Sequence, residues 1–168
     1  HARPITALLL RSPRARHSLP TRRSSDLNSP RRKQWDSALS YIAEDSCIEE
    51  VILSGGDPLA LSDRQFHWLM QQLAGIEHLT TVRIHTRLPI VIPKRVTAEL
   101  LQCLSESRLR IVMVVHCNHA RELDTAVADS LSALDEVGVT MLNQSVVLMD
   151  VNDNSEALIN LKQALFEH

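Results

Sequence analysis

The sequence predicts an α/β fold, the central portion of a partial (β/α) TIM-like barrel in which parallel strands alternate with helices. Three observations predict it. Short apolar runs of strand length recur between segments of helical period. The runs read as apolar on both faces, the mark of a parallel sheet covered by helices. The residues that close the runs are polar every time, as at the edge where such folds place their chemistry. Four strands with no sign of closure are too few for a complete barrel, so the sheet is expected to continue in both directions.

Residues 1–27, HARPITALLLRSPRARHSLPTRRSSDL, are crowded with Arg, Pro and Ser, hold no acid before Asp26, and lack a sustained period. A transit peptide shares that composition. The run SLPTRRSSDL resembles translated sequencing-adapter DNA, and residues 1–27 are therefore expected to be a non-native or disordered segment, with the domain occupying residues 28–168.

Within 28–168 each element has its own signal. Trp35, Leu39, Ile42 and Ala43 recur at helical spacing, and EEVILSGGD reads as a strand running into a loop. Asp63 is expected to cap a helix whose stripe is Phe66, Leu69, Met70 and Leu73. TVRIHT is a strand, Thr97 starts a helix through Leu100, Leu101 and Leu104, and LRIVMVVH is a continuous apolar strand. Residues 122–137 read as a helix and TMLNQSVVL as a strand. Asn154 or Ser155 caps a last helix through Leu158, Leu161 and Leu165.

Composition narrows the function. The chain has 168 residues, 44% of them hydrophobic, and a formal net charge of −2. That balance gives no electrostatic ground for nucleic acid or an anionic membrane as the main partner. Cys47, Cys103 and Cys117 are too scattered for a zinc or iron–sulfur spacing and do not form a secreted disulfide framework, so a reducing cytoplasm is expected.

The candidate chemistry lies at the strand ends: Ser54-Gly55-Gly56-Asp57, His85-Thr86-Arg87, His116-Cys117-Asn118-His119 and Asn143-Gln144-Ser145. In VILSGGDPLA, two consecutive glycines leave room beside the main chain for a polar ligand, and Asp57 offers a carboxylate to an ammonium. The alternative is a tight turn in which Asp57 serves the segment that follows. His116 and His119 invite a metal, yet three residues apart at a strand end their side chains leave on different faces, and no third ligand is near in sequence. Arg87 equally suits a buried ion pair, and Gln144 could satisfy barrel backbone groups.

Taken together, WDSALSYIAED, VILSGGDPLALSD, VRIHTRLPIVIPKRVT, VVHCNHARELD, GVTMLNQSVVLMDVNDN and LKQALFEH resemble the lysine 2,3-aminomutase family of radical S-adenosylmethionine enzymes. Within it, the chain is most similar to the branch that makes (R)-β-lysine for modification of elongation factor P. The resemblance implies a partial (β/α) barrel with a [4Fe–4S] cluster, S-adenosylmethionine and pyridoxal phosphate, and free lysine as the substrate whose amino group moves from C2 to C3. It also implies that Ser54, Gly55, Gly56 and Asp57 receive the methionine amino group of S-adenosylmethionine, with His116 and Gln144 lining the same pocket.

The family's CxxxCxxC cluster motif is expected upstream of Asn28, together with the arginine that holds the lysine carboxylate. The Schiff-base lysine and the acids for the ε-ammonium are expected beyond position 168. Asp153 resembles an ammonium partner but stands where a helix cap is expected. The resemblance thus implies a fragment of an isomerase, inactive alone. The alternative class is a non-radical small-molecule binding or hydrolytic domain using Asp57, His116 and His119.

Overall fold

The computed structural model describes residues 7–9, 29–54 and 56–167, with side chains from Trp35 onward. Four strands form the body of one all-parallel sheet: β2 (Glu50–Ser54), β3 (Thr81–Thr86), β4 (Arg110–Val115) and β5 (Thr140–Asn143). A three-residue strand, β1 (Ala7–Leu9), pairs in parallel along the outer side of β2. The rest of residues 1–27, on which the expectation of a non-native segment falls, lies outside the described residues. Between strands run α1 (Ser29–Glu44), α2 (Asp63–Ala74), the short α3 (Leu88–Val91), α4 (Ala98–Ser105) and α5 (Thr125–Glu136), and α6 (Ser155–Phe166) follows β5.

Strand order follows chain order across the sheet without reversal. Right-handed crossovers then carry successive helices to the same face. Burial agrees: Val51 and Leu53, Val82 and Ile84, Ile111 and Met113 are all below 5% exposed, and Leu53, Ile84, Met113 and Met141 stand in register across the four strands. The helices add Phe66, Leu69, Met70 and Leu73 from α2, Leu100 and Leu104 from α4, and Leu131 and Leu134 from α5.

The opposite face corrects the expectation of strands apolar on both sides. β2 and β3 alternate, leaving Glu50, Ile52, Ser54, Thr81, Arg83 and His85 half-buried, and only β4 buries both faces, through Val112 and Val114. Arg83 pairs there with Glu50 across the strands at 2.8 Å. The sheet therefore has one dry face against helices and one mixed, accessible face that leads to the strand ends.

Several boundaries differ from the sequence reading, each for a local reason. Ser62, not Asp63, caps α2: its hydroxyl accepts from the Gln65 amide while the Gln65 side chain reaches back. Asp63 instead holds Arg95 at 2.6 Å and accepts from the Thr97 hydroxyl at 3.1 Å, tying α2 to the start of α4. The helix expected over 122–137 breaks into a 3₁₀ turn, Ala120–Glu122, and α5, because Asp124 caps the Val127 amide and Glu122 folds back onto the Asn118 and His119 amides. Asn154 caps α6 through the Ala157 amide, so Asp153 is not the cap. Ala43 faces solvent, whereas Trp35 and Ile42 of the same helix are buried.

Candidate functional site

A cleft of about 590 Å³ opens at the C-terminal ends of the strands. Ser54, Gly56 and Asp57 enter it after β2, His85, Thr86 and Arg87 close β3, His116 follows β4 and Gln144 follows β5. Its size is that of an ordinary small-molecule site. Gly55 lies outside the described residues. Gly56 has φ +67°, a left-handed conformation that strains any other residue, so this glycine is required by the backbone itself.

Asp57 is the hub of the β2 end. Its Oδ1 accepts from the Leu59 amide at 3.0 Å and the Thr86 hydroxyl at 2.7 Å, and Oδ2 accepts from the Arg87 amide at 2.7 Å. The carboxylate thus caps the 3₁₀ turn Pro58–Ala60 and clamps the end of β3 to the end of β2. Of the two alternatives for Asp57, its bonds match service to the following segment, while its position on the cleft wall keeps its charge beside any ligand.

Arg87 is not a buried ion pair. Its guanidinium is half-exposed and donates to Glu122 Oε2 at 2.9 Å, and the other oxygen of Glu122 accepts from the Asn118 and His119 amides. Glu122 therefore ties the ends of β3 and β4 together. His119 turns away from the cleft lining: its Nδ1 accepts from the Arg121 amide at 3.1 Å and caps the 3₁₀ turn. The proposed set Asp57, His116 and His119 does not converge, which removes one member of the hydrolytic alternative. Among the described residues, no group of three or more His, Cys, Asp and Glu is placed to hold a metal ion.

His116 stands beside His85, with ring centroids 5.9 Å apart and planes tilted by 52°. His85 is the residue that sequence reasoning passed over, though it had placed it at a strand end. The period of two was the available signal, since it sets His85 on the accessible face with Thr81 and Arg83. Burial, then the neighbouring His116 and Arg83, holds the His85 imidazole below its ordinary pKa, and a side-chain hydrogen bond to Gln144 partly opposes them.

Gln144 lies just past β5 rather than inside a strand. Asn143 ends the ladder: its side chain accepts from the Cys117 amide at 2.9 Å and donates to the Cys117 carbonyl at 3.0 Å. Asn152, fully buried, then donates to the carbonyls of Asn118 and Val146 and accepts from the Leu148 amide, folding the loop after Gln144 back on the β4 end.

Cys117 is fully buried under this layer, and burial, then the charge of Glu122, pushes its thiol up to about 11. Only thiolate reacts readily. At pH 8 a maleimide is expected to label exposed Cys47 quickly, leaving Cys103 and Cys117 untouched until the chain is unfolded, as read by mass spectrometry. Rapid native labelling of Cys117 would contradict its placement. The same shift makes stability fall with alkalinity, because the unfolded thiol loses its proton near pH 9 while the folded one holds it to about 11.

No family model matches the chain. It is similar to L-lysine 2,3-aminomutase of Escherichia coli, 48% identical over 140 residues, which cover 83% of this chain and 41% of that protein. The Haemophilus influenzae protein of the same name is 50% identical over 142 residues, 84% of this chain and 42% of its own length. The Methanococcus maripaludis protein is 34% identical over 151 residues, 89% and 35% of the two chains. Over the stretch it shares with them, the chain belongs to the lysine 2,3-aminomutase family. It spans about two fifths of the length of the bacterial relatives. The 151 of 168 residues matched to the Methanococcus maripaludis protein are enough to span the cleft residues from Ser54 to Gln144. No helix among the described residues is long and apolar enough to cross a membrane.

Proposed function

We propose that this chain is part of a radical S-adenosylmethionine lysine 2,3-aminomutase that converts free L-α-lysine to β-lysine in the cytoplasm for modification of elongation factor P. Its sheet is one wall of a (β/α) barrel. The observation that carries this reading is the convergence of all four strand ends on one cleft, in a chain half identical to lysine aminomutases.

The cleft fits S-adenosylmethionine by its donor set. Ser54, Gly55, Gly56 and Asp57 would take the methionine end, with the carboxylate of Asp57 facing the ammonium, and His116 and Gln144 would line the remainder. S-adenosylmethionine, once reductively cleaved, supplies the radical that removes a hydrogen from lysine. The residues of this chain bind and orient, and the dry core behind the cleft keeps the strand ends rigid.

The other two groups do not fit this chain alone. Three thiolates must meet on one cube, whereas Cys47 is exposed before β2, Cys103 is buried in α4 and Cys117 is buried after β4. Pyridoxal phosphate needs a lysine, and the cleft lining has none. Reconstituted anaerobically with iron and sulfide, the chain is expected to show no stoichiometric cluster signal by electron paramagnetic resonance and no β-lysine by chromatography. A cluster or turnover from this chain alone would overturn that part of the proposal. Turnover by a full-length protein carrying this stretch, lost when Asp57 and His116 are replaced, is the result expected of the site.

A further inference from the structure

One arginine grips the connection that carries Asp57 into the cleft. Arg95 closes the 3₁₀ turn Pro93–Arg95 after α3, and its guanidinium reaches back to the segment between β2 and α2. Its Nε donates to the Leu59 carbonyl at 2.6 Å and its Nη2 to the Leu61 carbonyl at 3.0 Å, across 36 and 34 residues of chain. Its Nη1 pairs with Asp63 Oδ1 at 2.6 Å. The side chain is only 15% exposed, so all three nitrogens of a planar, charged fork are spent on this one connection.

Leu59 is the residue through which that grip reaches the site. Its side chain is fully buried, its carbonyl is held by Arg95, and its amide donates to Asp57 Oδ1 at 3.0 Å. On the other flank of Asp57 the backbone is open: Gly56 has nothing within 4 Å of the place a Cβ would take. Two holds therefore set the direction of the Asp57 carboxylate. One is the end of β3, through the Thr86 hydroxyl and the Arg87 amide, and the other is the Leu59 turn that Arg95 clamps.

We infer that Arg95 is a positioning residue of the cleft: by clamping Leu59 and Leu61 it sets where the Asp57 carboxylate stands for the cationic group of a ligand. For S-adenosylmethionine this deepens the reading given above and rests on it. Asp63 serves the fold instead, holding the charge of Arg95 and, through the Thr97 hydroxyl, the start of α4. The two partners of one ion pair thus have separable effects. Removing Asp63 costs stability alone, whereas removing Arg95 also costs binding.

The test uses the whole 168-residue chain with Arg95→Lys, Arg95→Met and Asp63→Asn variants. Lysine brings one donor group that can meet one carbonyl, and methionine keeps the stem with no donor. The first readout needs no ligand: hydrogen exchange of the Leu59 amide by NMR, relative to the fully buried Ile84 in β3, which reports the whole fold. Its relative protection is expected to fall about tenfold in Arg95→Lys, to fall further in Arg95→Met, and to stay within about threefold of the parent in Asp63→Asn. The second is affinity for S-adenosylmethionine by calorimetry, expected to weaken about tenfold in Arg95→Lys, the scale of one hydrogen bond, and to stay within about threefold in Asp63→Asn. Urea unfolding should show Asp63→Asn to be the less stable chain all the same. In an Asp57→Asn background, Arg95→Lys should cost no further affinity, as expected where one residue acts through the other.

Three results would overturn the inference: an unchanged Leu59 amide in both Arg95 variants, affinity that falls in Asp63→Asn as far as in Arg95→Lys, or additive losses with Asp57→Asn. So would failure of both Arg95 variants to fold, which would place Arg95 in the fold alone. If the parent itself fails to bind S-adenosylmethionine, the cleft assignment falls, and the Leu59 amide still decides the role of Arg95.

Discussion

Phe66→Ala is expected to lower the unfolding free energy by about 3–5 kcal/mol, the range for emptying a well-packed aromatic site. Phe66 is 1% exposed and among the largest fully buried side chains, on the α2 face that closes the dry side of the sheet. Deleting its ring loses the transfer free energy of a phenyl group and leaves a cavity between α2 and the strands. A domain of this size holds roughly 5–15 kcal/mol in total, so the variant should lie near its unfolding midpoint under mild denaturant. Urea unfolding followed by circular dichroism measures the difference. Phe166→Ala is the control: that ring is 81% exposed on α6, and its loss should change stability by less than about 0.5 kcal/mol. Equal effects at the two positions would contradict the packing described.

Asp57→Ala should cost about 2–4 kcal/mol, and Asp57→Asn roughly half as much, since hydrogen bonds to a charged acceptor contribute about 1.5–3 kcal/mol and a lost cap about 1. Alanine strands the Thr86 hydroxyl, which is 1% exposed, and the Leu59 and Arg87 amides. Asparagine keeps one carbonyl oxygen for part of that set. The clamp between β2 and β3 opens, and with it one wall of the cleft. A carboxylate held ready only for a ligand's ammonium would behave otherwise: Asp57→Ala would leave unfolding unchanged and affect binding alone. The same urea titration separates the two cases.

What the sequence made legible followed from local pattern. TVRIHT is β3 residue for residue, because Val82 and Ile84 alternate with Thr81, Arg83 and His85 at the period of a half-buried strand. The cap Thr97 was equally plain, and the choice between Asn154 and Ser155 narrows to Asn154, since each cap acts within three residues of itself. The one-sided burial of β2 and β3 was not foreseen, because a short apolar run does not say which face a helix will cover. The early end of β5 was hidden too: Asn143 ends it by bonding to Cys117, 26 residues away. Asp57 shows the same limit at the site. Its bonds to Thr86 and Arg87 span 29 and 30 residues, so only folding reveals that the carboxylate is already engaged. His85 lay in view at a strand end, but His116 and Gln144, which line the cleft with it, are brought there only by the adjacency of β3, β4 and β5.

A single cleft shared by four strand ends is tested most directly by titrating S-adenosylmethionine into the isotope-labelled chain and following side-chain resonances by NMR. Saturable shifts are predicted at His85, His116, Gln144 and the Ser54–Gly56 backbone together, with one apparent affinity. Shifts confined to the separate apolar groove lined by Leu142, Leu158 and Phe166, or no shift at His116 and Gln144 at millimolar ligand, would contradict the assignment.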